Sequence, residues 1–266
     1  MIHAPRRVFG HFGEWMQGRL MPDGEVALIT LPCRALWVQI ETDGAANADS
    51  AMFPPDQLAR FRHALRLGAA PWPRLSSNIP PGCGAGASSA TLTALAYGAG
   101  FSGPPMDLAQ ACLDIEGATD PLMWPAPDAM IWASRSGRIV DTVPPPPPCV
   151  IVGGYWGAPE RTDAFDTAFP DISDLITPWC AAARSGDLSS LGRLASISAS
   201  RCTALRGPRD PMADLAEDLG ALGVVRAHTG SARGLIFRPD SVPEGSTAAL
   251  EIAGLNGVFQ FATGLA

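Results

Sequence analysis

Residues 80–90 read Pro80-Pro81-Gly82-Cys83-Gly84-Ala85-Gly86-Ala87-Ser88-Ser89-Ala90, and a helix-forming segment follows directly. Glycines and alanines dominate this loop, so its backbone can approach a ligand closely. The helix that we predict over Ser88–Tyr97 would point its free N–H groups and the positive end of its dipole back into the loop. The stretch is therefore typical of a cradle for an anion, with a close-packing turn as the alternative.

The charge of the chain limits the classes of partner that it can bind. The 266 residues carry a formal net charge of −7, and the sequence lacks lysine, so all 19 basic residues are arginines. A protein without excess positive charge is a poor ligand for nucleic acid or an anionic membrane, and we expect it to bind neither. The absence of lysine excludes Schiff-base chemistry and a Walker-type lysine, so any basic side chain that contacts phosphate must be an arginine.

The N-terminus and the cysteines indicate the compartment. The first residues lack the apolar core of a signal peptide, and no run approaches the roughly 20 apolar residues of a membrane span. We therefore expect a soluble, cytoplasmic protein. The six cysteines are spread without any C-x-x-C pair, which argues against a zinc site or a disulfide framework.

A run of five prolines at 144–148 divides the chain, and a strand-like segment follows it at Cys149–Gly154. We place a boundary near 146, which gives an N-terminal domain over 1–146 and a C-terminal domain over 147–266. Strands and helices segregate along the chain, which predicts an α+β architecture. The predicted strands are 26–31, 35–40, 149–154, 224–228, 234–237 and 258–261, with a break at Pro32; the predicted helices are 56–67, 88–97, 106–115, 171–183, 187–205 and 211–221.

Three motifs resemble the signatures of the GHMP kinases, a superfamily that includes galactokinase, homoserine kinase and mevalonate kinase. The loop at 80–90 resembles the second signature, although Ala87 replaces its first serine. Residues 4–18, which end in Gly13-Glu14-Trp15-Met16-Gln17-Gly18, resemble the first, and residues 226–235 resemble the third. The resemblance implies an N-terminal domain of the ribosomal protein S5 domain 2-like type, a ferredoxin-like C-terminal domain, and ATP with Mg²⁺ in the cleft between them.

The same resemblance assigns the nucleotide and metal contacts. The loop residues expected to bind ATP are Pro81, Gly82, Cys83, Gly84, Ala85, Gly86, Ala87, Ser88 and Ser89. The magnesium contact falls on Ser88, and relatives hold the metal with a glutamate that Glu116 would match. A charged, solvated helix end is the alternative for Glu116.

Within the superfamily, the chain is most similar to the L-threonine kinases of cobalamin side-chain synthesis and propanediol utilisation. The likeness lies in the Gly13–Gly18 motif, in Thr119-Asp120 before a hydrophobic stretch and Pro125, and in residues 227–231, Ala-His-Thr-Gly-Ser. It implies L-threonine as the acceptor. Another alcohol, such as homoserine or a sugar, and a catalytically silent homologue that only binds a nucleotide or metabolite remain as alternatives.

Asp120 is the predicted catalytic residue, because its carboxylate could accept the hydroxyl proton or orient that hydroxyl; a turn-forming aspartate before proline is the competing interpretation. On a helical turn, Glu14 and Gln17 would face one side and meet the two charged ends of an amino acid, with a structural cap as the alternative. The remaining predicted substrate contacts are Thr119, His228, Thr229 and Arg233; Arg233 could brace a phosphate, with a solvated arginine as the alternative. We interpret His11 as a structural histidine. The sequence leaves the oligomeric state open, with a homodimer as one option.

Overall fold

The computed structural model describes residues 7–41, 52–160 and 163–264. Within these ranges the chain forms nine strands and seven helices, which confirms the predicted α+β class. The strands are β1 (Arg7–Leu20), β2 (Glu25–Ile40), β3 (Leu75–Ser77), β4 (Met130–Ala133), β5 (Arg138–Thr142), β6 (Cys149–Tyr155), β7 (Gly223–Arg226), β8 (Ala232–Phe237) and β9 (Asn256–Thr263). The helices are α1 (Pro55–Ala64), α2 (Ala87–Gly98), α3 (Pro105–Glu116), α4 (Ser173–Ser185), α5 (Leu188–Arg206), α6 (Met212–Asp218) and α7 (Ser246–Ile252).

The strands form one antiparallel sheet in the order β5-β4-β2-β1-β7-β8-β6-β9, and β3 pairs with the far end of β2. The two halves of the chain meet in the middle of this sheet. There, a single residue pair, Glu14 with Arg226, joins β1 to β7. The division of the chain near residue 146 stays a prediction.

The strand β1 contains two irregularities that matter for the site. Between His11 and Glu14, β1 advances three residues while β2 advances two, and between Glu14 and Met16 it advances two while β2 advances one. Each extra residue is a β-bulge that reverses the side-chain alternation. Gly13 occupies the first bulge with a φ of +67°, a left-handed conformation that suits glycine. His11, Glu14 and Gln17 consequently share one face although they lie three residues apart.

The sequence-based prediction of a break at Pro32 was wrong, because β2 runs through it. Pro32 is paired with His11 on the β1 side. On its other side, β2 pairs with β4 only at Ala27 and Leu28 and with β3 only from Val38 onward. A proline fits at a position where no second strand needs its missing N–H. The irregularity lies instead beyond Cys33, where the partners of Phe9 and Gly10 on β2 are Trp37 and Cys33.

Helix α2 is buried on nearly every side, since all residues from Ser89 to Ala96 are buried. Ala90 and Ala94 pack into a core shared with β1 and β2, while Leu92 and Leu95 pack against α1 and α3. Small and apolar residues all around a helix are typical of such a central position. The packing holds the first turn of α2, and therefore the loop before it, in a fixed place. In the ranges that the structure covers, no helix is long and apolar enough to cross a bilayer.

Candidate active site

The glycine-rich loop lies between the segments that resemble the first and third signatures. From β1, the backbone N–H of His11 donates to the carbonyl of Ala85 at 3.2 Å, and that of Gly13 donates to Gly84 at 3.0 Å. From the start of β8, the N–H of Ala232 donates to the carbonyl of Cys83 at 2.9 Å. Three segments that are distant in sequence therefore form one backbone-bonded unit.

The glycines of the loop are needed for both conformation and space. Gly82, Gly84 and Gly86 have φ values of +73°, +70° and +72°, which side chains disfavour. A Cβ on Gly84 would lie 2.3 Å from the Cβ of Ala227, and one on Gly230 would lie 2.4 Å from the N of Gly84. Left-handed residues at alternate positions turn successive N–H groups toward one side, which forms an anion-binding concavity.

The loop forms one wall of a cavity of about 750 Å³, a size usual for small-molecule sites. Of the predicted site residues, those that line it are Pro81, Gly82, Gly84, Ala85, Gly86, Ala87, Ser88, Ser89, Glu14, Gln17, Glu116, Asp120 and Thr229. The side chains of Cys83, Thr119, His228 and Arg233 are buried and are not part of the lining. His11 and Arg135 also line the cavity, although neither is among the predicted site residues.

Two carboxylates meet at the start of α2. The hydroxyl of Ser89 donates to Oε2 of Glu116 at 3.0 Å and lies 3.4 Å from Oδ2 of Asp120. It also accepts the backbone N–H of Asp120 at 3.1 Å. Burial, and then the nearby charge of Asp120, raise the pKa of Glu116 to about 8, against hydrogen bonds from Ser88, Ser89 and Thr119. At neutral pH the folded chain therefore leaves the Glu116 carboxylate largely protonated, without a cation of its own.

The residues at this point fit a divalent cation completed by phosphate oxygens. A carboxylate and a hydroxyl are oxygen ligands of the kind that Mg²⁺ prefers, and Mg²⁺ usually binds through one or two carboxylates plus the phosphates of its substrate. Across the described ranges, no three His, Cys, Asp or Glu side chains form a metal site alone. A cation bound here would need ligands beyond the carboxylates, and it would stabilise the ionised form of Glu116.

His11 forms an ion pair with Asp120, with Nε2 located 3.2 Å from Oδ2. Nδ1 of His11 lies 3.1 Å from the carbonyl oxygen of Gly13, which can only accept, so Nδ1 carries a proton. Burial alone would lower the pKa of His11, but the charges of Asp120 and Glu14 outweigh it and raise the pKa to about 9. Burial pushes the pKa of Asp120 upward, yet the contact with His11 lowers it overall.

The interpretation of His11 as merely structural missed this contact, since a lone histidine gives no signal of a partner 109 positions away. The helical turn predicted for Glu14 and Gln17 was also wrong, because both lie in β1. They nevertheless share a face, owing to the bulge between Glu14 and Met16. The Oε2 atom of Glu14 is buried without a hydrogen bond in the described structure, and Nδ1 of His228 lies 3.9 Å from it.

His228 and Arg233 lie behind the cavity wall. His228 is buried next to Cys202 and Glu14, and burial opposes the rise in its pKa that these two partners cause. Arg233 donates from Nε to Oδ2 of Asp210 at 2.8 Å, and its Nη1 donates to three backbone carbonyls. An arginine occupied in this way braces the turn between β7 and β8, and it has little capacity left for a ligand. No local sequence pattern pointed to its partner Asp210.

The comparisons with known proteins give likeness in fold only. No protein-family model matches the chain, and no curated protein matches its sequence. Solved structures match along nearly the whole length. Mevalonate kinase from methicillin-resistant Staphylococcus aureus MRSA252 is 14% identical with a TM-score of 0.56, covering 98% of this chain and 99% of its own. Homoserine kinase from Cytophaga hutchinsonii is 14% identical with a TM-score of 0.59, covering 99% and 95%.

Phosphomevalonate kinase from Streptococcus pneumoniae is 11% identical, with a TM-score of 0.61 and 97% of each chain covered. Identities this low carry no statement about activity, whereas TM-scores above 0.5 over the full length do identify the architecture. The chain has the α+β fold of the GHMP kinases.

Proposed function

We propose that the protein is an ATP-dependent kinase that phosphorylates the hydroxyl group of a small metabolite. One observation carries the proposal: the anion-binding loop with its three left-handed glycines opens into the same cavity as Glu116 and Asp120. Phosphoryl transfer needs little covalent work from the protein, so a phosphate cradle, a metal-binding carboxylate and a group that orients the acceptor suffice. All three elements line one wall of the cavity.

In this proposal the loop and the first turn of α2 bind the phosphates of ATP. The N-terminal N–H groups of α2 have no side-chain cap, and Gly86 precedes the helix in a left-handed conformation. These donors and the helix dipole suit the β- and γ-phosphates. Ser88 and Glu116 would hold Mg²⁺, which neutralises the charge on the phosphate oxygens when it is bound. Cys83 contributes its backbone, since its side chain is buried away from the cavity.

Asp120 would orient the acceptor hydroxyl for attack on the γ-phosphorus. Its ion pair with His11 keeps it ionised, and a carboxylate that is stabilised by a cation is a weak base. We therefore assign it the role of a hydrogen-bond acceptor that fixes the direction of the hydroxyl oxygen. The preceding residue, Thr119, is held in place by Trp132, whose indole N–H donates to the carbonyl of Thr119 at 2.6 Å.

For the acceptor we propose L-threonine, with O-phospho-L-threonine and ADP as products. Support comes from the sequence resemblance and from Glu14, whose buried Oε2 atom could receive an ammonium group. Gln17 lies beside it with amide donors and an acceptor, and Thr229 lines the same cavity. One structural neighbour is named a homoserine kinase, which makes homoserine the strongest competing acceptor. A soluble protein acting on a cytoplasmic metabolite, with no nucleic-acid or membrane partner, fits this proposal.

The test is ADP release from Mg-ATP with L-threonine, L-serine, L-homoserine and galactose as separate acceptors. L-Threonine should give the highest kcat/KM. A missing methyl group is worth only about 1–3 kcal/mol, so L-serine should be roughly 10- to 200-fold poorer, and galactose should be inactive. Faster turnover of homoserine or galactose would refute the threonine assignment alone. Tight nucleotide binding without turnover of any acceptor would instead indicate a silent homologue.

A further inference from the structure

Of the arginines that the structure describes, Arg135 is the one that lines the candidate active site. It follows β4, and its guanidinium group is anchored on one side, because Nη2 donates to the carbonyl of Asp163 at 2.8 Å. Its Cζ lies 5.9 Å from the centroid of the Phe169 ring, which places the cation against an aromatic face. These contacts fix the group in the wall of the cavity.

The anchoring leaves most of the guanidinium group unused. Nε and Nη1 of Arg135 are buried and have no hydrogen-bond partner in the described parts of the chain. Two other buried or partly buried arginines differ: the neighbouring Arg206 donates to Asp166 and to the carbonyl of Ala168, and Arg233, behind the cavity wall, is bound to Asp210. Buried donors without an acceptor are costly and uncommon, so an acceptor from outside the chain is the natural partner.

The location of Arg135 indicates which part of a ligand that acceptor belongs to. Its charge acts on Asp120, the residue to which the proposed function gives the acceptor hydroxyl. The phosphates of ATP already have the N–H groups of the loop and of α2. Glu14 offers a buried carboxylate oxygen without a hydrogen bond in the same cavity. The hydroxyl contact at Asp120, the Glu14 oxygen without a hydrogen bond in the described structure and the two unused donors of Arg135 together match the three polar groups of a hydroxy amino acid.

Resting on the proposed function, we propose that Arg135 binds the carboxylate of the acceptor and so makes the site selective for amino acids with a free carboxyl group. The Glu14 and Gln17 pair was predicted to meet both charged ends of the amino acid; Arg135 suits the carboxylate end better, since an arginine fork matches a carboxylate and this sequence has no lysine to serve instead. Glu14 is then left to bind the ammonium group.

The experiment pairs a variant with a modified substrate. L-Threoninamide carries a neutral carboxamide in place of the carboxylate of L-threonine, so each compound is assayed with wild type and with Arg135→Gln. Wild type should prefer L-threonine by roughly 10- to 100-fold in kcat/KM, the usual value of a charge-assisted hydrogen bond. Arg135→Gln should lose this factor for L-threonine and change little for the amide. Arg135→Lys should recover part of it.

Arg138→Gln is the matched control. It removes the same charge from the same hairpin, but Arg138 is exposed and pairs with Glu25 outside the cavity. Its kinetics should equal those of wild type, and thermal melting should show that all variants are folded.

The outcomes separate the two proposals. An equal loss for L-threonine and its amide in Arg135→Gln, with a higher KM for ATP, would assign Arg135 to the phosphates and overturn the inference while the kinase proposal stands. Wild type that uses both substrates equally would also overturn it. Activity of wild type on a sugar but on no amino acid would overturn the threonine assignment and this inference together, and leave the kinase reaction itself.

Discussion

Glu116 and Asp120 lie on either side of one hydroxyl group, that of Ser89, yet their environments differ in one respect. Asp120 has a cation within the chain, His11, at 3.2 Å, and its pKa is lowered. The groups that lower the pKa of Glu116 are hydroxyl donors, and burial outweighs them and raises that pKa to about 8. The difference shows how two carboxylates in one pocket are separated in role: one is charged in the free protein, and the other becomes charged when a ligand brings a cation.

The largest expected effect follows from removing the carboxylate that is already charged. Asp120→Asn keeps the shape of the side chain but removes its charge, so the acceptor hydroxyl loses its orienting partner. We expect kcat to fall by roughly 10²- to 10⁴-fold, with nucleotide binding retained. Steady-state kinetics and equilibrium binding of an ATP analogue would measure both quantities. A weaker affinity for ATP at unchanged kcat would contradict the assignment and place Asp120 in nucleotide binding.

Glu116→Gln should weaken the binding of the metal rather than the binding of the acceptor. Losing a charged ligand should raise the Mg²⁺ concentration for half-maximal activity by roughly 10- to 100-fold, the usual value of a charge-assisted contact. Because the folded pKa of Glu116 is raised above its ordinary value of 4.5, the free protein should lose stability as pH rises from about 4.5 to about 8. The glutamine variant lacks this loss.

At pH 8 and without ligands, Glu116→Gln should therefore melt at a higher temperature than wild type, although it is the poorer enzyme. Thermal denaturation at pH 5 and pH 8 measures the difference, and the two proteins should be closer at pH 5. A variant that is less stable than wild type at pH 8 would mean that Glu116 is a structural carboxylate with partners of its own.

A smaller effect is expected when the uncharged metal ligand, the hydroxyl of Ser88, is removed. Ser88→Ala removes one hydroxyl contact to the cation, worth about 0.5–1.5 kcal/mol, so activity at limiting Mg²⁺ should fall roughly 2- to 10-fold while the fold survives. Ser89→Ala is the informative comparison, because it removes the hydroxyl between Glu116 and Asp120 instead. Unchanged Mg²⁺ dependence in Ser88→Ala would transfer the metal contact away from Ser88.

The sequence predicted the elements of this fold well where the pattern was local. Helix α2 was predicted from 88 to 97 and runs from Ala87 to Gly98, and the strand predicted at 149–154 is β6. The pairs that define the site were not predictable in this way. The contacts of His11 with Asp120 and of Arg233 with Asp210 join distant positions, and no local periodicity reports on them.

The bulges in β1 are a second feature that local sequence spacing could not predict. Glu14 and Gln17, three residues apart, suggested a helical turn, since a regular strand would place them on opposite faces. The extra residue between Glu14 and Met16 places both side chains on one face of a strand, and this bulge is visible only in the register of β1 with β2. The conclusion that both face the cavity was correct, while the structural reason was not.

The smallest predicted effect concerns His11, the cation of the ion pair with Asp120. The folded pKa of His11 is raised from its ordinary 6.5 to about 9, so its contribution to stability is complete below pH 6.5 and disappears as pH rises through 9. Asp120, whose pKa is lowered, contributes above its ordinary pKa of 3.8 and loses that contribution in acid. The pair should therefore stabilise the protein between about pH 4 and pH 9 and weaken outside this window.

His11→Gln should remove the cation that is paired with Asp120, so the pKa of that carboxyl should rise. The acid limb of kcat/KM should then move to higher pH, and the decline expected for wild type near pH 9 should be absent, with only a few-fold loss at pH 7. Profiles of kcat/KM against pH for wild type and variant test this, with His63→Gln as the control, since His63 lies in the last turn of α1 and is not among the residues that line the cavity. An identical acid limb in His11→Gln and wild type would show that Asp120 does not depend on His11, and the charge of Arg135, which also lowers the pKa of Asp120, would then have to account for the contrast between the two carboxylates.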